Sequence, residues 1–256
     1  MGYVIRFLLA AMVFVSSCTG AERVLVVTLG DSLSAGDGDS VENRGYPVRL
    51  ERILRERGIE ARVRNFAISG DTSSDLVAKQ LEPALRELEA ATDAKKVALV
   101  WIGSNDMFGF YNYTAHEDWC LDMGKEACKR SEMKTAVENM KKTVDALSEA
   151  GASVVIALLD DQTRRPVVAD KKIRSEFFPG IGDRDVEDMS RQIGLYNEAV
   201  KAIASKKGAS TVDFFKDSIF YDKNMLSEDG NHPNARGYDE IAKKWARAVM
   251  PIIQVR

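Results

Sequence analysis

Arg23-Val24-Leu25-Val26-Val27-Thr28-Leu29-Gly30-Asp31-Ser32-Leu33-Ser34-Ala35-Gly36 is the stretch on which the fold turns. Residues 23–29 are a short apolar run that stops at glycine, the pattern of a buried strand. Similar runs follow at 60–68, at Lys96–Ile102, at Ala152–Leu159 and near 209–214. Between them apolar residues recur at helical spacing. Val48, Leu50, Ile53 and Leu54 mark a helix over 46–57, with Gly58 as its stop. Leu76, Val77, Leu81, Leu85 and Leu88 mark another over 74–91, which Pro83 bends or divides. Further helices are predicted over 131–149, 186–206 and 235–249. Strands that are apolar throughout and alternate with helices imply an α/β fold, a mainly parallel sheet of about five strands covered on both faces. Two longer irregular segments, 107–130 and 160–185, are expected to carry function or to cover a site. No linker or repeat divides the chain, so one domain is expected.

Composition narrows the function classes. The 256 residues are 45% hydrophobic and 29% charged, which excludes disordered and collagen-like classes. Basic residues number 36 and acidic residues 39, for a net charge of −3. Binding to nucleic acid needs a basic face, so no nucleic-acid partner is expected. Two histidines and three cysteines argue against a multi-ligand zinc site, and no metal or organic cofactor is implied.

The first residues read as an address. Arg6 precedes an uncharged, mostly apolar run from Phe7 to Val15, and small residues follow. That is the plan of a secretory signal peptide, far shorter than the ~20 residues of a spanning helix. Val15-Ser16-Ser17-Cys18 resembles a bacterial lipobox. The resemblance implies a signal over 1–17, cleavage before Cys18 and lipidation of that cysteine, which would attach residues 18–256 to a membrane of the cell envelope. Ordinary cleavage after Ala21 is the alternative. Export leaves Cys120 and Cys128 as an even pair in an oxidising compartment, either bridged as a structural disulfide or both free.

In open parallel sheets, ligands bind beyond the carboxyl ends of the strands. The peptides at those ends are Gly30-Asp31-Ser32, then Ser69-Gly70-Asp71, then Gly103-Ser104-Asn105-Asp106, with Asp229-Gly230-Asn231-His232 before the last helix. Ser32 lies on a glycine-flanked turn and would need a base to become a nucleophile. Only His116 and His232 are available, and His116 reads as an exposed loop residue. Asp229, three residues before His232, can hold the imidazole tautomer. The backbone N–H groups of Ser32 and Gly70 and the side-chain amide of Asn105 can form a three-donor oxyanion hole. Asp31 reads as the cap of the turn after it, and Asp160-Asp161 as turn capping and loop solvation. Phe108, Phe110, Tyr111, Tyr113 and Trp119 wall an apolar acyl pocket, stack on a sugar or simply pack a long loop.

These four peptides, in this order, resemble the blocks of the SGNH hydrolase superfamily, also called GDSL lipases and esterases. The resemblance runs from about residue 24 to about 249 and is strongest to the bacterial thioesterase and lysophospholipase branch. It implies a flavodoxin-like, three-layer α/β/α sandwich. It also implies a nucleophile at Ser32, a base at His232 with Asp229 behind it, and oxyanion donors at Gly70 and Asn105. The expected protein is an exported serine esterase acting on a small-molecule, lipid or polysaccharide ester. Acyl-lipid or lysophospholipid substrates lead, with O-acetyl groups on an envelope polysaccharide second. A non-catalytic ligand-binding lipoprotein is the rival class. The cysteine-bearing segment 107–130 is longer than the family pattern leads one to expect.

Overall fold

The structure is a computed structural model that describes residues 23–40, 44–111 and 125–254. Five strands, β1 (Arg23–Gly30), β2 (Glu60–Asn65), β3 (Lys95–Trp101), β4 (Ser153–Leu158) and β5 (Ser210–Asp213), form one sheet in the order β2-β1-β3-β4-β5. Every pairing is parallel. Parallel neighbours need crossover connections, and these are helical. On one face α2 (Gly45–Glu56) packs on α10 (Ala235–Gln254). The other face carries α4 (Leu81–Ala90), α6 (Lys125–Glu149) and α9 (Asp183–Lys207). The three-layer α/β/α expectation therefore holds.

Strand order reverses at β1. The chain leaves β1 for β2 on one side and returns to β3 on the other, so the loops after β1 and β3 part and open a crevice. The register ends with Gly30 opposite Trp101. Trp101 is wholly buried, stacked on Phe214 at 4.4 Å and edge-on to Trp245 and Phe220, so the end of β3 is anchored in an aromatic cluster.

Several expectations need correction. The strands are not all apolar: β2 is an edge strand, mostly exposed, with only Ala61 fully buried. The helix over 74–91 is divided, as its Pro83 led one to expect, into α3 (Ser73–Asp75), a π-helical turn over Leu76–Gln80, and α4. Pro83 has no N–H to give and its ring would crowd the Lys79 carbonyl, and the wider turn takes up that disruption. In it the Leu81 N–H donates to the Leu76 carbonyl, five residues back. Segment 107–130 is only partly irregular, because α5 covers Ser104–Gly109 and α6 begins at Lys125, earlier than predicted. The added turns carry no apolar period, and charge contributes to holding them. Lys129, nearly buried, reaches Asp188 at 2.5 Å and lies over the Tyr111 ring at 4.5 Å. Segment 160–185 holds a 3-10 turn over Gln162–Arg164, α7 (Pro166–Ala169), α8 (Lys171–Phe177) and the start of α9.

The last residue of β1 tolerates no side chain. A β-carbon on Gly30 would lie 2.6 Å from Ser34 Oγ and closer still to the Trp101 carbonyl. Gly30→Ala is expected to cost about 3 kcal/mol or more in urea unfolding, since neither backbone can retreat within a packed sheet. An unchanged midpoint would show that β1 and β3 can separate here.

Candidate active site

Ser32 opens α1 (Ser32–Ala35), directly after β1. Asp31 caps that turn, its Oδ1 accepting the Leu33 N–H at 3.0 Å. The end of β1 is fixed from the side by Gln80, in the π-helical turn. Gln80 Oε1 accepts the Gly30 N–H at 2.9 Å, and Nε2 donates to the Gly30 carbonyl and to Asp71 Oδ2, each at 2.8 Å. One buried amide thus ties the Ser32 strand to the loop after β2.

That loop turns back at Gly70, where the Asp71 N–H donates to the Ile68 carbonyl at 3.2 Å. Gly70 has φ +82°, a conformation that favours glycine, and the space above it is open. Asn105, in the first turn of α5, gives one amide hydrogen to the Asp71 carbonyl at 2.8 Å, and the other finds no acceptor among the described residues. The loops after β2 and β3 are thereby joined next to the two predicted donors. Asp106 strengthens the joint, accepting the Ser73 N–H at 2.9 Å and the Ser73 hydroxyl at 2.5 Å.

Asp229 and His232 stand on a hairpin-like loop over 225–234. The Leu226–Pro233 bridge, the Ser227 N–H bond to the His232 carbonyl at 2.8 Å and the Asn234 N–H bond to the Met225 carbonyl at 2.9 Å close it. Asn234 then caps α10, its Oδ1 accepting from the Arg236 and Gly237 amides. The loop brings His232 Nε2 to 3.0 Å from Ser32 Oγ, across 200 residues of sequence. His232 Nδ1 is 2.6 Å from Asp229 Oδ2. Asp229 Oδ1 accepts from the Ser227 hydroxyl and from the Asn231 and His232 amides. Burial pushes the Asp229 carboxyl up, but those bonds together with the one from His232 outweigh it and hold the group well below the usual carboxylate range. Gly38 makes the approach possible, because a β-carbon there would lie 2.8 Å from His232 Cβ.

The structure therefore brings Ser32, His232 and Asp229 together, with Gly70 and Asn105 on joined loops of the same sheet end. Cys18, His116 and Cys120 lie outside the described residues, as do Tyr113 and Trp119. Cys128, in α6, is half-buried. Phe110 and Tyr111 are buried packing residues, and Phe108 meets Phe178 edge-on at 4.7 Å. Asp161 caps the 3-10 turn as expected. Asp160 does not solvate a loop: it is buried in a two-point ion pair with Arg165, at 2.7 and 2.8 Å. Sequence reading missed Arg165 and Gln80. Gln80 was detectable as a polar residue on the apolar stripe of its helix, whereas Arg165 carries no local signal.

An imidazole bonded to a serine hydroxyl on one side and a carboxylate on the other can take the hydroxyl proton, which makes the serine a nucleophile. Fold and site together define a serine hydrolase on a parallel α/β scaffold. Residues 28–240 match the GDSL-like lipase/acylhydrolase family, and the chain belongs to that family. It is similar to the esterase TesA of Pseudomonas aeruginosa, 25% identical over 87% of this chain and 85% of that one. An arylesterase of Vibrio mimicus is 24% identical over 93% and 94% of the two chains. Among solved structures, the lipase Lip_vut3 from a goat rumen metagenome shares the fold with a TM-score of 0.62 at 20% identity, over 88% of this chain and 97% of that one.

Asp31 supplies a pH test. It is fully buried and its Oδ2 has no hydrogen-bond partner among the described residues, so burial pushes its carboxyl up to about 7 against the Leu33 N–H, Arg165 and His232. The folded state therefore holds a proton that the unfolded chain releases near pH 4, and stability is lost as pH rises from there towards 7. Asp31→Asn keeps the cap and removes the charge. Its stability relative to the parent is expected to rise across that window, by up to about 4 kcal/mol. Parallel unfolding curves at pH 4 and 7.5 would disprove this.

Proposed function

We propose that the protein hydrolyses carboxylic esters through an acyl-enzyme on Ser32. The observation that carries this reading is the continuous Ser32–His232–Asp229 chain, 3.0 and 2.6 Å long, at the mouth of the β1/β3 crevice. His232 takes the Ser32 proton as Oγ attacks the ester carbonyl. Asp229 holds the Nδ1–H tautomer and stabilises the imidazolium. The oxyanion is met by the N–H groups of Ser32 and Gly70, which find no acceptor among the described residues, and by the remaining amide hydrogen of Asn105. The protonated His232 returns its proton to the leaving alkoxide or thiolate. Water, activated by the same imidazole, then releases the acid and frees Ser32.

A medium-chain acyl group is the proposed substrate portion, in a lipid or lysophospholipid ester. Its support is apolar side chains on the two donor loops: Ile68, two residues before Gly70, is 42% exposed, and Phe108, three residues after Asn105 on α5, is half-buried. The esterase and arylesterase names of the relatives agree with an ester but do not choose its acyl chain. Export through a signal over 1–17, lipid attachment at Cys18 and a Cys120–Cys128 bridge are proposed on the sequence pattern. Together they make this a cell-envelope enzyme.

Hydrolysis of a p-nitrophenyl ester series by protein lacking residues 1–20 tests the reading. Ser32→Ala is expected to abolish turnover, and Asn105→Ala to lower kcat by ~10²–10³ with less effect on KM. A rate maximum between six and twelve carbons supports the acyl-lipid class. A maximum at acetyl would replace it with O-acetyl esters of a polysaccharide. Turnover that survives Ser32→Ala would overturn the mechanism.

A further inference from the structure

Asp160 and Arg165 take no part in the proposed reaction, yet both are buried, 1% and 5% exposed. Burying such a pair seldom adds stability by itself, because desolvation offsets the attraction. The informative atom is the guanidinium nitrogen that Asp160 leaves over. Arg165 Nη1 donates to Asn231 Oδ1 at 2.8 Å. With its oxygen held, the Asn231 amide nitrogen lies 3.5 Å from His232 Nδ1 and 3.4 Å from Nε2. That is too long and too evenly shared for a bond to either nitrogen, and it amounts to a contact with the ring as a whole.

The backbone after Arg165 holds the same turn a second time. The Val167 N–H donates to the Gly230 carbonyl at 3.2 Å, and a β-carbon on Gly230 would lie 3.2 Å from Pro166 Cβ. Residues 165–167 therefore grip 230–231 by side chain and by main chain. The other side of the turn is open, with the Asp229 side chain 45% exposed. The His232 side chain is only 18% exposed, so its covered side is where a further fixed contact acts on the ring.

We propose that Arg165, braced by Asp160, is a positioning residue for the His232 imidazole and acts through Asn231. The proposal rests on the reading of His232 as the base. Lysine cannot replace Arg165, because one ammonium cannot span both oxygens of Asp160 and still reach Asn231 with the same planar fork.

The test compares Arg165→Lys, Asn231→Leu and the double variant with the parent and Ser32→Ala, using p-nitrophenyl butyrate and proton NMR of the His232 Nδ1–H resonance. Each single variant is expected to lower kcat by roughly 10- to 100-fold with KM within about twofold, because misplacing a reacting group acts on turnover. The double variant should fall no further than the worse single one, since both break one link. The resonance should broaden or shift in both. Asn231→Leu, at a half-buried site, is the variant that decides if Arg165→Lys fails to fold. Full kcat in Asn231→Leu, a change confined to KM, or losses that multiply in the double variant would overturn the proposal. Should the parent show no Ser32-dependent turnover, the ester reading fails separately. The resonance then decides, and its being unchanged in both variants rejects the positioning role.

Discussion

The parallel pairing of β1 with β3 is the constraint from which the site follows. Their register runs to Gly30 opposite Trp101, and the Asp31 N–H still reaches the Trp101 carbonyl at 3.4 Å. The two strands therefore end together while their outgoing chains go to opposite sides. Backbone groups that would have paired with a neighbouring strand are left facing a crevice. Ser32 and Asn105 inherit that exposure from the sheet, and Gly70 joins them because Ile68 pairs its N–H with the Gly30 carbonyl at 3.2 Å.

The fourth element has no such inheritance. His232 and Asp229 arrive on a loop that the sheet does not hold, and their placement depends on contacts made one by one. Gly38 lets the loop approach, Asn234 anchors its exit, Tyr238 reaches back to the Asp37 carbonyl at 2.8 Å, and Arg165 holds Asn231. Two costs come with this arrangement. Asp31 loses its water without gaining a full set of partners, and Arg165 with Asp160 is desolvated as a pair. Such departures from an otherwise consistent fold are expected where a site is built.

What the sequence disclosed divides along the same line. The strands, the crossover helices and the positions of Ser32, Gly70 and Asn105 were legible because apolar periodicity and strand ends are local properties. His232 was legible by scarcity, as one of two histidines. The edge character of β2 was not, since an alternating run of charged and apolar residues betrays its neighbours only once the strand order is known. The early start of α6 escaped because Lys129 is buried by Asp188 and the Tyr111 ring rather than by apolar spacing. Arg165 escaped altogether: its partners, Asp160 and Asn231, lie 5 and 66 residues away, and no pattern joins the second to it.

Preorganisation gives the polar joints around the donors a physical role. An oxyanion site works by having its donors aimed before charge develops, so that no reorganisation accompanies the reaction. Gly70 sits at an exposed turn and Asn105 on the short helix α5, neither of them rigid alone. The Asn105 bond to the Asp71 carbonyl makes the position of one donor depend on the loop that bears the other. Gln80 then couples that loop, through Asp71, to both backbone groups of Gly30, two residues before Ser32. The three donors are linked in series by buried or half-buried hydrogen bonds. A displacement of any one must break a bond that cannot be replaced by water at equal cost. That linkage, more than the identity of any single donor, is what would let a crevice at a sheet end stabilise a transition state instead of merely admitting a ligand.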